Sequence, residues 1–335
     1  RKFNLGHSFS ICYLCNNSLP VTNTNQKRPR TFYYLEKNSN MNTDPSEQLA
    51  KAIENQRTGN YYASKGNDAY ALSYYQRALD IAPNFADAWA NRGMAETRLG
   101  LSDPAKTSFI RAAELLPQHP TALNNIGNQL FTLLAFDSAA MCYVWATKAD
   151  PTFTNAWNNL GNTYLQLLKL DDAICAYEQV IKIDPTHADA RNGYAQALLM
   201  NGNFDHGWAA YEARFYKPDN PSRRTYKSKE WTGQNLQGKS ILLYAEQGIG
   251  DTIQFMRFAH PLKDMGARIL IECQKNICEL LMAHTIFDQA IPLNGPSPPT
   301  DYHAPLMSLP YLLRLTDTAD LKSTPYIEID PLQKQ

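Results

Sequence analysis

The sequence predicts a superhelical α solenoid followed by an α/β domain built on a parallel sheet. Three observations carry that expectation. Small and aromatic residues recur every 34 positions between about residues 52 and 216. A proline closes successive periods at Pro83, Pro117, Pro151 and Pro185. Beyond residue 238 short apolar runs alternate with helix-like stretches, the pattern of parallel strands joined by helical crossovers.

The clearest period reads Trp157-Asn158-Asn159-Leu160-Gly161-Asn162-Thr163-Tyr164, then Ala173 and Tyr177, then Asp184-Pro185. Stepping back by 34 gives Leu123, Ile126-Gly127, Leu130, Ala139, Tyr143 and Pro151. A second step gives Trp89, Gly93, Ala105, Phe109 and Pro117, and a third gives Gly59, Tyr62, Ala71, Tyr75 and Pro83. A weaker copy follows with Tyr194, Gly207 and Tyr211, where Arg191 stands in the Trp place and Gly207 in the Ala place. This pattern resembles the tetratricopeptide repeat. The resemblance implies pairs of antiparallel helices at about 52–85, 86–119, 120–153, 154–187 and 188–216, the last as a cap. Gly161 and Ala173 are small, so paired helices can approach; Trp157, Leu160, Tyr164 and Tyr177 fill the space between them. Spacings of three and four put the first-helix members on one face. Proline cannot continue a helix interior and so marks each boundary. One repeat cannot bury its own apolar face, so neighbours must stack.

The 335 residues carry 32 basic and 32 acidic side chains and are 44% hydrophobic, which allows two domains. Zero formal net charge argues against a general nucleic-acid binder. No apolar run reaches the roughly 18–20 residues that cross a bilayer, so no membrane span is expected and a cytoplasmic location is. Residues 1–40 are rich in Asn, Ser, Lys and Arg, with Glu36 their only acidic residue. They are expected to be a disordered, dispensable leader. Its origin stays open between an upstream leader or misplaced start before Met41 and a basic, Ser-rich targeting peptide. Cys12-x-x-Cys15 has the spacing of half a zinc site, with no second half of matching spacing. Cys142 and Cys175 fall within second helices as packing residues. A reduced protein without metal or cofactor is expected.

Residues 217–238 read as a polar connector and 239–335 as the α/β domain. Ser240 to Ala245 reads as a buried strand. Gln247-Gly248-Ile249-Gly250-Asp251 is a tight turn, Thr252 to Met265 a helix, and Gly266 its end. Strands at Arg268 to Glu272, Gln289 to Leu293 and Tyr302 to Ala304 alternate with helices at Asn276 to His284 and Leu309 to Leu315. Ligands of such sheets sit beyond the carboxyl ends of the strands, where this turn lies. Gly248 and Gly250 permit close backbone approach. Asp251 admits two readings: an N-cap whose carboxylate accepts free helix N–H groups, or a carboxylate presented to a ligand.

Ile241 to Phe255, with Glu246-Gln247-Gly248-Ile249-Gly250-Asp251 at its centre, resembles the start of the glycosyltransferase family nine domain, which includes the lipopolysaccharide heptosyltransferases. Trp208-x-x-Tyr211-Glu212-x-Arg214-Phe215, Trp231-x-Gly233 and Asp301-Tyr302-His303-Ala304-Pro305 resemble bacterial proteins that join such a domain to tetratricopeptide repeats. The resemblance implies that 239–335 is the first Rossmann-like half of a two-domain GT-B transferase. It implies that Asp251 is the base that deprotonates a sugar acceptor, with Gln247, Gly248 and Gly250 as substrate-binding neighbours. The half that binds the nucleotide sugar does not follow in this sequence. The expectation is therefore a protein-binding module fused to an incomplete transferase domain without transfer activity. The alternative is a sugar-nucleotide-dependent glycosyltransferase whose donor half is missing from this chain.

Asn91, Asn125 and Asn159 recur at 34-residue spacing, each two residues before the repeat's Gly. An amide offers both donor and acceptor, so a ladder of them on the concave face can hold an extended peptide backbone. This resembles the asparagine ladder of the O-linked N-acetylglucosamine transferases. The other reading is that Asn is common at an exposed position. The expected partners are protein or peptide segments in that groove and a possible sugar acceptor.

Overall fold

The computed structural model describes residues 44–216, 224–282 and 285–317. The expectations for 1–40, with Cys12 and Cys15, and for 217–223, 283–284 and 318–335 lie outside these residues. The chain forms two compact units that divide between Thr186 and His187.

The first unit contains four helix pairs. These are α1 (Pro45–Ser64) with α2 (Asp68–Ile81), α3 (Ala86–Arg98) with α4 (Ser102–Glu114), α5 (Pro120–Thr132) with α6 (Phe136–Ala149), and α7 (Thr154–Gln166) with α8 (Leu170–Ile183). The first helix begins at residue 45 rather than 52. The Asp44 carboxylate accepts the Ser46 N–H at 3.0 Å, and Pro45 sits where no intrahelical N–H is needed.

Each pair closes on the same contact. A Cβ built on Gly59, Gly93, Gly127 or Gly161 would lie 2.6, 2.9, 2.6 or 2.7 Å from a ring carbon of Tyr75, Phe109, Tyr143 or Tyr177. Those glycines make room for a ring on the facing helix. The close neighbour of Gly161 is therefore Tyr177; Ala173 is a separate buried small position. Ala71, Ala105, Ala139 and Ala173 are all fully buried. Where a repeat starts with Trp, its indole N–H reaches back to the proline that ends the previous one. Trp89 donates to the Pro83 carbonyl at 2.8 Å and Trp157 to the Pro151 carbonyl at 3.0 Å.

The turn between paired helices needs a left-handed residue. Gly66 and Gly100 supply it at φ 74° and 75°, but Leu134 and Leu168 occupy the same place at φ 58° and 55°. Both leucines are largely exposed.

The second unit opens with α9 (Ala188–Met200) and α10 (Phe204–Tyr211), then a 3-10 turn at Glu212–Tyr216. There follow β1 (Lys229–Glu230), β2 (Ser240–Tyr244), α11 (Ile249–Phe255), α12 (His260–Asp264), β3 (Arg268–Cys273), α13 (Cys278–Met282), β4 (Gln289–Pro292), β5 (Tyr302–Pro305) and α14 (Leu309–Leu312). The strands form one sheet in the order β1-β5-β2-β3-β4, every pair parallel. One face carries Ile241, Leu243, Ile269, Ile271 and Ala304, packed with Trp231, Phe255 and Phe258. Trp208 of α10 meets Phe255 and Phe258 edge-on, at ring-centroid distances of 6.0 and 6.4 Å. The other face carries Leu242, Leu270 and Ile291 against Tyr226.

Two expectations need correction. Residues 252–265 are not one helix. A 3-10 segment at Met256–Ala259 separates α11 from α12, and Pro261 lies in the first turn of α12, where its missing N–H is tolerated. Residues 224–238 are not a detached connector. Lys229 and Glu230 pair with β5, and Trp231 and Leu236 are buried in the core.

Replacing Gly161 by Leu is expected to overpack α7 against Tyr177 and destabilise the protein by about 1–3 kcal/mol or more. Adding Tyr177→Ala should relieve part of that loss. Urea denaturation of the two single variants and the double variant checks this, and an unchanged midpoint for Gly161→Leu would reject the contact.

Candidate functional site

On the first helices of the first unit the asparagines form a bonded series. Asn60 Oδ1 accepts the Tyr75 hydroxyl of its own repeat at 2.9 Å and the Asn91 Nδ2 of the next at 3.0 Å. Asn128 Oδ1 accepts the Tyr143 hydroxyl at 2.8 Å and the Asn159 Nδ2 at 3.1 Å. Asn159 Nδ2 also donates to Asn124 Oδ1 at 3.0 Å, and the Tyr177 hydroxyl donates to Asn162 Oδ1 at 2.7 Å. Burial pushes the Tyr143 and Tyr177 phenols well above their ordinary range, so they remain donors.

The second repeat breaks the series. Its ring is Phe109, without a hydroxyl, and Met94 stands where the other repeats have Asn. Asn125, which would donate to that position, is exposed and has no side-chain hydrogen bond among the described residues. The same repeat has Arg92 and Glu96 where the fourth has Leu160 and Tyr164. Arg92 Nε donates to Glu96 Oε1 at 2.8 Å, and the Ser108 hydroxyl donates to Glu96 Oε2 at 2.7 Å. Of the three sequence candidates, Asn91 and Asn159 are thus bound into the array and Asn125 is not. Asn60, Asn128 and Asn162 were missed. Their signal was present: Asn follows the repeat's Gly wherever the facing ring is Tyr, and is absent where it is Phe.

In the second unit the turn Gln247–Asp251 leaves the carboxyl end of β2. The strand order runs from β2 through β3 to β4, then returns to β5 on the other flank of β2, so the order reverses beside this turn. Such a reversal is where open α/β sheets bind ligands. A Cβ on Gly250 would meet nothing within 4 Å, and one on Gly248 only Asp251 Oδ2 at 3.4 Å. Packing therefore does not demand either glycine. The first residue of α11 is Ile249, so Asp251 is its third residue and Gly248 its cap. The Asp251 carboxylate reaches back to accept the Gly248 N–H at 3.0 Å. Gln247 Nε2 donates to the Tyr211 hydroxyl at 3.2 Å. Gln274 braces the turn, its Nε2 donating to the Gln247 carbonyl at 2.6 Å and its Oε1 accepting the Thr252 hydroxyl at 3.0 Å.

Beneath the turn lies a charged group that the sequence did not single out. Glu246 has a fully buried side chain and accepts Arg214 Nε at 3.0 Å and the Met307 N–H at 3.0 Å. Arg214 also donates to Glu212 at 2.6 Å and to the Ser308 hydroxyl at 2.7 Å. Burial pushes the Glu246 carboxyl above its usual range, against the pull of the Arg214 charge. Among the described residues no cluster of three or more His, Cys, Asp or Glu is placed to hold a metal, and no helix is long and apolar enough to cross a membrane.

The tetratricopeptide-repeat family matches residues 154–187, and a second description of that repeat matches 176–205. A 65-residue segment is 32% identical to an uncharacterized protein of Methanocaldococcus jannaschii, covering 19% of this chain and 76% of that protein. A 55-residue segment is 38% identical to protein FlbA of Caulobacter vibrioides, covering 16% of this chain and 9% of FlbA's own length. Solved structures with a similar course include YrrB, described as a tetratricopeptide-repeat protein with an unusual peptide-binding site. Its identity is 22%, its TM-score 0.44, and the match covers 52% of this chain and 90% of that one. MamA of Desulfovibrio magneticus is 19% identical with TM-score 0.42, covering 51% of this chain and 98% of that one. The chain carries tetratricopeptide repeats.

Removing Arg214 alone takes the opposite charge from the buried Glu246 carboxylate, a change that typically costs about 3–5 kcal/mol. Arg214→Met is expected to lose that much in chemical denaturation, and Arg214→Met with Glu246→Gln to recover part of it. Equal stability of Arg214→Met and the parent would show that the pair contributes nothing.

Proposed function

We propose that the repeats hold an extended peptide segment of a partner protein along the asparagine face of α1, α3, α5 and α7. The observation that carries this reading is Asn125, an exposed amide in line with two amides already fixed by neighbours. Fixed amides lose little side-chain freedom when a ligand arrives. Asn91 and Asn159 spend a donor within the array and keep carbonyl oxygens for a peptide N–H, while Asn125 offers both its donor and its acceptor. Panning a peptide display library on the full chain, then on the variants, tests it. Asn125→Ala should weaken capture and leave the denaturation midpoint in place. Asn91→Ala and Asn159→Ala should weaken capture and also cost about 0.5–1.5 kcal/mol per lost hydrogen bond, one at Asn91 and two at Asn159. Equal capture by the triple Ala variant would remove the ladder from the reading.

A second reading concerns the other unit, which we infer to be the first Rossmann-like half of a GT-B transferase of family nine type. Asp251 is then the base for a sugar acceptor, beside Gln247, Gly248 and Gly250. What supports it is a carboxylate and an open glycine backbone at the strand-order reversal. A sugar hydroxyl is a poor nucleophile, and a placed carboxylate can take its proton as the new bond forms. Asp251 also holds the Gly248 N–H, a bond that an Asn carbonyl oxygen can make. Supplied with a donor-binding half and a sugar nucleotide, Asp251→Asn should slow transfer about 10²–10⁴-fold at unchanged melting temperature. Equal turnover by parent and variant would leave Asp251 as a turn brace only.

A further inference from the structure

We propose that Cys273 and Cys278 are an oxidisable pair that closes into a disulfide beside the turn after β2. Cys273 is the last residue of β3 and is fully buried; Cys278 opens α13 and is half-buried. Their Sγ atoms lie 3.3 Å apart. A disulfide bond is about 2.05 Å long, so closure needs the sulfurs to move together by only about 1.2 Å.

The two thiols differ in a way that gives the reaction an order. Burial and the neighbouring Cys278 hold the Cys273 thiol far above its ordinary range, so it stays protonated. Cys278 is the less buried of the two. A peroxide is the oxidant of matching chemistry. The Cys278 thiolate attacks one peroxide oxygen: an S–O bond forms, the O–O bond breaks, and hydroxide leaves and takes a proton as water. Cys273 Sγ then attacks Cys278 Sγ. The S–S bond forms, the S–O bond breaks, and the hydroxide released takes the Cys273 proton. Two thiols and one hydrogen peroxide give one disulfide and two waters.

The site has a structural consequence at hand. Gln274 follows Cys273 directly and holds both ends of the neighbouring turn, through the Gln247 carbonyl and the Thr252 hydroxyl. The covalent ring would therefore contain the residue that braces Gln247–Asp251. This holds whether or not the turn binds a sugar.

The test treats the full chain with hydrogen peroxide in the presence of dimedone, which traps sulfenic acids, and maps the peptides by mass spectrometry. In the parent, the segment carrying Cys273 and Cys278 should lose two hydrogens, take up no dimedone and be restored by dithiothreitol. Cys273→Ala should instead carry dimedone on Cys278. Cys278→Ser, a change at the half-buried position, should show no internal link and an unmodified Cys273. Dimedone on Cys278 in the parent at the level of Cys273→Ala would overturn the proposal. So would a link from either sulfur to another cysteine, or a Cys278 that peroxide leaves reduced.

Discussion

In each of the four helix pairs of the first unit, a ring from the second helix lies where the Cβ of a first-helix residue would be. Only glycine leaves that place empty, and the ring fills it to within 3 Å of the imaginary atom. The rest of the unit follows from this closeness. Because the ring passes over the glycine, a Tyr hydroxyl emerges next to the residue that follows it, and an Asn there can accept it. The same Asn oxygen then stands within reach of the next repeat. Close packing of the apolar interior thus places the polar surface, and the candidate binding face is a by-product of how the helices approach.

The second unit depends on a different constraint. Five parallel strands leave their carboxyl ends pointing the same way, and β2 carries a buried carboxylate just past its end. Glu246 is tolerable there because Arg214, a backbone N–H and the Ser308 hydroxyl on Arg214 complete the group. The pair ties the 3-10 turn after α10 to the ends of β2 and β5, so the last helix pair of the sequence pattern is fixed to the sheet it precedes. Residues 224–231 are drawn in as well: Tyr226 covers Leu242 and Leu270, and Trp231 lies in the core on the other side.

How much of this could be read from the sequence depended on period and length. The 34-residue period locates α3, α5, α7 and α9 because each helix start is signalled by the element before it. The first helix has no such predecessor, and its start at Pro45 was decided by the local Asp44 cap. Strands of four to six apolar residues stood out. The two-residue β1 could not, since it has no periodicity and its pairing comes from a partner more than seventy residues away. Asp251 was left between two readings because the start of α11 was uncertain by a few residues. The helix begins early enough to make Asp251 its third residue, where a carboxylate bends back to the cap. The pairing of Asn60, Asn128 and Asn162 with Tyr was in the sequence but needed the ring geometry to be noticed. Arg214–Glu246 could not be seen, because nothing in spacing relates residues thirty-two apart on unlike elements.

The shared acceptors have a consequence for how the first unit comes apart. Asn60 ties the first repeat to the second, and Asn128 ties the third to the fourth. Between the second and third no such bridge is present among the described residues, since Met94 stands where the acceptor Asn would be. The helices also approach over a shorter stretch there: α4 meets α5 less extensively than α2 meets α3 or α6 meets α7. In a one-dimensional array, stability is a sum over neighbours, and unequal neighbours divide the chain. The unit is then two cooperative blocks of two repeats, and the boundary between folded and unfolded segments comes to rest most cheaply between α4 and α5.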